Sequence, residues 1–209
     1  MKNNIYRTSS INKCGMLRTC FMMLGMLLFA VETQAQTSYK ITNGSQIKVL
    51  GTSNLHDWNM TASTFTLEGI FKVRDREVLD IKSLSFSLPV SNLKSKDDLM
   101  DTRAYKTLKA AEFNKISFKL NDAALMPQHK LKATGSLTIG GVTNEVVIMS
   151  TYVVNSDDTI TLKGSKAIKM SDHKIKVPSF MMGALKTGND VTIEFILKLK
   201  KQNNTITQN

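Results

Sequence analysis

Cysteine is nearly missing from this chain of 209 residues: there are 2, Cys14 and Cys20, both close to the start. No disulfide framework can hold the rest together, so stability has to come from a buried apolar core. Proline is scarce too, at 3 residues, which leaves few points barred from a continuous sheet. The 3 histidines, His56, His129 and His173, lie far apart and lack the paired spacing of a zinc site. There is no nucleophile elbow and no glycine-rich strand-to-helix phosphate loop. Sequence motifs therefore give little support for an enzyme, and they imply neither metal nor cofactor. Long hydrophobic runs are also lacking. The apolar stretch Phe21 to Val31 is too short to span a bilayer, and no later run approaches that length.

What is present at the N-terminus has a direction. Lys2, Arg7, Lys13 and Arg18 precede that apolar run, and Thr33-Gln34-Ala35 follows it as a small-x-small cleavage site. Residues 1–35 read as a signal peptide, with Met16 as an alternative start that would make it compact. Cys20 precedes the apolar run, so it is not placed like a lipoprotein acylation cysteine. The expected mature chain begins near Gln36, contains no cysteine, and is exported to the periplasm or secreted. The formal net charge is +11; the signal segment carries 4 Lys/Arg and 1 Glu, a net +3, which leaves +8 for the remainder. These charges are spread singly along alternating stretches such as Lys198-Leu199-Lys200-Lys201. They read as solvated strand faces that suit an anionic membrane surface, and without a basic stripe they do not suggest nucleic acid.

Alternation of apolar and polar residues dominates the remainder, the mark of half-buried strands. Gln46 to Leu50, Met60 to Val73, Val78 to Val90, Lys115 to Asn121, His129 to Ile139, Glu145 to Val154, Thr159 to Met170 and Asp190 to Lys200 are the expected strands. Tyr39 to Ile41 and Gln46 to Leu50 make a first hairpin or broken strand around Asn43-Gly44, a type I′ turn signal, and Gly140 to Asn144 is a tight connection. The clearest case is Leu84, Phe86 and Leu88 on one face, with Ser83, Ser85 and Ser87 on the other. Ser91 to Ala111 breaks the period. Ser95 with Asp98 resembles a capping box, and Leu99, Met100, Tyr105 and Leu108 recur at helical spacing, so a short helix is expected over about Asp97 to Lys109. Pro178 to Gly183 cannot be a central strand, and residues 202–209 form a polar tail expected to be disordered. About eight strands with one short helix predict an all-β sandwich or closed antiparallel barrel.

One stretch gathers the chain's single Trp with a His and an Asp: Gly51-Thr52-Ser53-Asn54-Leu55-His56-Asp57-Trp58. It lies between two strand patterns and reads as a corner. Asp57 could satisfy backbone N–H groups there, His56 could make a fixed hydrogen bond, and Trp58 could plug an apolar end. Alternatively the polar pair orients a ligand headgroup, or serves catalysis. His173, in Ser171-Asp172-His173-Lys174, reads as part of an exposed turn. Phenylalanines on the inward period fit either a packed core or an apolar cavity. Met100, Met181 and Met182, in the non-strand segments, suit a cavity mouth, because thioethers adapt to variable chains.

Four stretches resemble the YceI-like, or polyisoprenoid-binding, family. They are Leu108 to Lys119, with its Ile116-x-Phe118 strand; Gly135 to Thr143; Val191 to Leu197; and Gly51 to Trp58. Taken in order, the likeness covers roughly Ser38 to Lys201. The chain departs from the family pattern at Gly140, where histidine is common, and around Pro178 to Gly183, where an aromatic segment is shortened. The resemblance implies a lipocalin-like antiparallel barrel over residues 36–201 that holds an apolar, isoprenoid-like lipid. The residues expected to contact that ligand are Phe65, Leu67, Leu84, Phe86 and Leu88 from the first half. Ile116, Phe118, Leu137, Ile139 and Ile148 follow from the second, with Phe180 and Met181 at the mouth. His56, Asp57 and Trp58 are expected at the rim or against a headgroup. The competing readings are an envelope enzyme using His56 and Asp57, and a fully packed structural or stress protein without ligand.

Overall fold

The computed structural model describes residues 37–202. The expected signal peptide and, apart from Gln202, the polar tail lie outside the described residues. The strands are β1 (Thr37–Ile41), β2 (Gln46–Ser53), β3 (Trp58–Ala62), β4 (Thr66–Arg74), β5 (Glu77–Pro89), β6 (Lys115–Met126), β7 (Lys130–Ile139), β8 (Val142–Val154), β9 (Ile160–Lys169), β10 (Ser179–Phe180) and β11 (Leu185–Lys201). One helix, α1 (Asp98–Thr107), lies between β5 and β6.

Sheet order runs β1-β4-β5-β6-β7-β8-β9-β11, and β11 returns to β1 through Tyr39 opposite Lys201 and Ile41 opposite Leu199. Eight antiparallel strands thus close a barrel, which removes the free edges of an open sheet. The hairpin of β2 and β3 joins the upper part of β11, with Val49 opposite Ile193 and Met60 opposite Val49. The β7–β8 turn at Gly140-Gly141 has φ of +55° and +80°, the geometry that a two-residue hairpin with right-handed strand twist needs.

Period two explains the wall. Along β9, Ile160 and Leu162 are buried, while Lys163, Ser165 and Lys169 on the alternate positions face solvent. One end is filled solid. Tyr39, Phe71, Ile160 and Leu199 are all at most 2% exposed there, and the Tyr39 and Phe71 rings meet edge to face at 5.4 Å. The other end carries α1 and stays open beneath it.

Three expectations need correction. Met60 to Val73 is not one strand: Ser63 to Phe65 separate β3, which pairs with β2, from β4, which pairs with β1 and β5. The two halves serve different neighbours, and a chain cannot do both without a break. The cap of α1 is Asp97 rather than a Ser95–Asp98 box, because the Asp97 carboxylate accepts the Leu99 N–H at 2.8 Å. His173 is not exposed but only 2% accessible, in a short 3₁₀ turn after β9, with Nδ1 3.1 Å from the Val142 carbonyl. The surrounding polar residues hid that burial from the sequence pattern.

Candidate functional site

The barrel interior above the solid end is a cavity of about 370 Å³. Its floor is built from Leu131, Leu162 and Leu197, and its walls receive inward residues from nearly every strand. Leu67, Leu84, Phe86, Leu88, Ile116, Phe118, Leu137, Ile139 and Ile148 all line it, and Phe180 lines its mouth. Phe65 does not. It packs in the core behind Phe86, ring centroids 5.6 Å apart. The backbone of Met181 is placed beside the mouth, but its side chain lies outside what the structure describes. Met100 lines the cavity, whereas Met182 is fully exposed.

Helix α1 roofs the opening because its spacing presents one face inward. Met100, Arg103, Ala104 and Thr107 fall at the i, i+3, i+4, i+7 positions of a single stripe, and all four line the cavity. Polar contacts on the other side fix the helix to the preceding loop. The Asp101 carboxylate, 3% exposed, accepts the Ser95 N–H at 2.7 Å and lies 3.4 Å from the Lys94 ammonium. Burial pushes the Asp101 carboxyl up, but the hydrogen bonds from Ser95 and Lys94 outweigh it and leave it below the usual carboxylate range. The Tyr105 hydroxyl sits 2.7 Å from the Leu93 carbonyl and 3.0 Å from that of Ser91. At the free edge, the Arg103 guanidinium lies 4.5 Å from the centroid of the Phe180 ring.

The Gly51–Trp58 corner forms the opposite rim. Ser53, not Asp57, satisfies the backbone there: its Oγ accepts the N–H groups of Leu55 at 3.2 Å and His56 at 3.1 Å. The His56 ring nitrogen Nδ1 sits 2.8 Å from the Asp57 carbonyl oxygen, so it is tied to that residue's main chain rather than its carboxylate. His56 and Trp58 line the cavity and Asp57 does not. The Trp58 indole lies against Gly51, where a Cβ would overlap its ring, and its N–H donates to the Thr52 carbonyl at 3.0 Å. Asn54 ties this corner to the start of β11, donating to the Ala184 carbonyl at 2.8 Å and accepting the Lys186 N–H at 2.9 Å.

Sequence reasoning missed several polar members of the wall, among them Arg103, Lys166 and Ser150. Lys166 is legible in principle, since it shares the period of Leu162 and Ile168. A lysine on that period nevertheless looks solvated alongside its neighbours. Among the described residues, no group of three or more His, Cys, Asp or Glu is placed to hold a metal ion, and no helix is long and apolar enough to cross a membrane.

Comparison with known proteins agrees with the barrel. A family model described as YceI-like domain matches residues 29–199. No curated protein matches the sequence. Among solved structures, BcnA of Burkholderia cenocepacia superposes with a TM-score of 0.63 at 18% identity, covering 74% of this chain and 95% of that one. A polyisoprenoid binding domain from Saccharophagus degradans, implicated in plant cell wall breakdown, gives 0.61 at 11% identity, covering 80% and 100%. The YCEI protein of Campylobacter jejuni gives 0.51 at 20% identity, covering 65% and 85%.

Proposed function

This chain belongs to the YceI-like domain family, and from that membership we propose that it is an exported binding protein, not an enzyme, that encloses an apolar, isoprenoid-like lipid within its barrel. The observation that carries the reading is the cavity itself. Its 370 Å³ lie within the range of small-molecule sites, and its lining is overwhelmingly aliphatic and aromatic. A packed structural protein would close that space, because interiors otherwise fill to crystal-like density. The solved polyisoprenoid binding domain of the same fold supports the choice of ligand class. Export rests on the signal-peptide pattern of residues 1–35.

Burial of the chain would supply the affinity, at about 25 cal/mol per Å² of apolar surface removed from water. Leu67, Phe86, Phe118, Leu137 and Ile148 would contact it along the wall, and Phe180 would cover it at the mouth. His56 and Trp58 would stand at the rim. Membrane contact belongs to the same reading. Leu55, Leu99 and Met182 are 71%, 54% and 108% exposed, on the three segments that ring the mouth. Exposed Lys96, Lys106 and Lys186 lie on or beside those segments. Such a rim suits an anionic bilayer from which a lipid is taken.

Trp58 provides the test, being the only tryptophan and part of the wall. Titrating delipidated protein with a neutral isoprenoid alcohol should shift its emission to saturation at one ligand per chain. An unchanged spectrum, with no ligand retained on gel filtration, would remove the reading.

A further inference from the structure

An ammonium group in an apolar cavity is costly unless something pairs with it. Lys166, half-buried, is the one lysine among the residues that line this cavity. It projects from β9 on the inward period, lines the cavity, and pairs in register with Ile193 of β11. Among the described residues no carboxylate lies within ion-pair distance of it. Among the described residues the one carboxylate of the cavity wall is Asp97, which already caps α1 by accepting the Leu99 N–H.

A second polar group stands beside it. Ser150 of β8 lines the same cavity and is only 9% exposed. The register sets Ser150 opposite Gly164, two positions from Lys166 on the same face of β9. Diagonal neighbours of this kind lie roughly 7–8 Å apart at the backbone, within reach of a long side chain. Gly164 leaves that stretch of wall without a side chain of its own, and the Phe195 ring covers it. Below, Leu162 lies roughly 13 Å along the strand toward the floor, and Ile168 lies above. A lysine and a serine on neighbouring strands thus share one stretch of an otherwise apolar wall.

We propose that this spot binds the ionised carboxylate of a long-chain amphiphile, with the lysine ammonium as the counter-ion and the serine hydroxyl as a second donor. The proposal rests on the lipid-holding reading and narrows it to ligand charge. A carboxylate matches one ammonium in charge. A phosphate monoester, near −1.5 to −2 at neutral pH, would call for more donors than the spot offers.

The test measures displacement of a neutral fluorescent probe, N-phenyl-1-naphthylamine, from delipidated protein by oleate and by oleyl alcohol, at a pH well above the carboxylate range. Oleate should compete at a concentration at least about tenfold lower than the alcohol, as expected for a hydrogen-bonded charge. Lys166→Met should abolish that preference while keeping alcohol binding, and Ser150→Ala should reduce it only a few-fold. Equal competition in the wild type, or a preference that survives in Lys166→Met, overturns the proposal. Failure of the probe and both amphiphiles to bind wild-type protein would overturn the lipid-holding reading, and this one with it. The wild-type comparison stands on its own should the lysine variant fail to fold.

Discussion

The Arg103 guanidinium rests over the Phe180 ring, 4.5 Å from its centroid, and both side chains line the mouth of the cavity. The contact joins α1 to the segment before β11, two elements far apart in sequence. It is the clasp across the opening.

Breaking the clasp should change how fast a ligand leaves. A partly exposed cation–π contact contributes about 0.5–1 kcal/mol. Arg103→Ala should therefore raise the dissociation rate of an apolar fluorescent probe by about twofold to fivefold, with Tm little changed. Stopped-flow dilution measures it, and an unchanged rate would mean that α1 is held shut by its other contacts alone.

The fixed side of α1 should respond to acid. The Asp101 carboxyl is held below its ordinary value of 3.8 in the folded protein. A depressed carboxyl contributes stability that is present above the ordinary value and is lost as pH falls through the folded one. Asp101→Asn should lower Tm at neutral pH by about 2–8 °C. The gap from wild type should then narrow as pH drops below about 4. Thermal melts across that range check the sign; a gap that widens on acidification would contradict it.

Phe65 and Phe86 are in ring contact, yet only Phe86 faces the cavity. Phe65→Ala should cost about 3–5 kcal/mol, the usual figure for a packed aromatic. Phe86→Ala merely widens an existing space and should cost less, about 1–2 kcal/mol, while altering ligand retention. Ser85→Val, on the outer face, should do neither. Urea denaturation of the three variants orders them, and equal losses for the two phenylalanines would mean that the space beside Phe86 is filled by protein.

Much of this architecture was legible because it follows from a period of two. The serines flanking Leu84, Phe86 and Leu88 announced an inside and an outside, and the structure keeps them there. The closure of β11 onto β1 was not legible, since period alone does not distinguish a sandwich from a barrel. It took the family resemblance to choose. Phe65 shows the limit of a period argument for the cavity. It shares the apolar face of its segment but falls in the break before β4, so it turns into the core instead of the space. His173 shows another limit: its partner, the Val142 carbonyl, lies 31 positions away. No local pattern reports such a bond. Lys166 escapes notice for the opposite reason, as one lysine among many whose neighbours do face water.

Native mass spectrometry of the protein expressed from the full sequence and purified without detergent tests the central claim most directly. Each molecule should carry one additional small mass that organic solvent removes. Filling the shaft through Ala133→Phe, at a wall position, should abolish that mass without unfolding the barrel. Wild-type protein recovered only at the mass of the bare chain, and indistinguishable from the filled variant in its uptake of added lipid, would contradict the account.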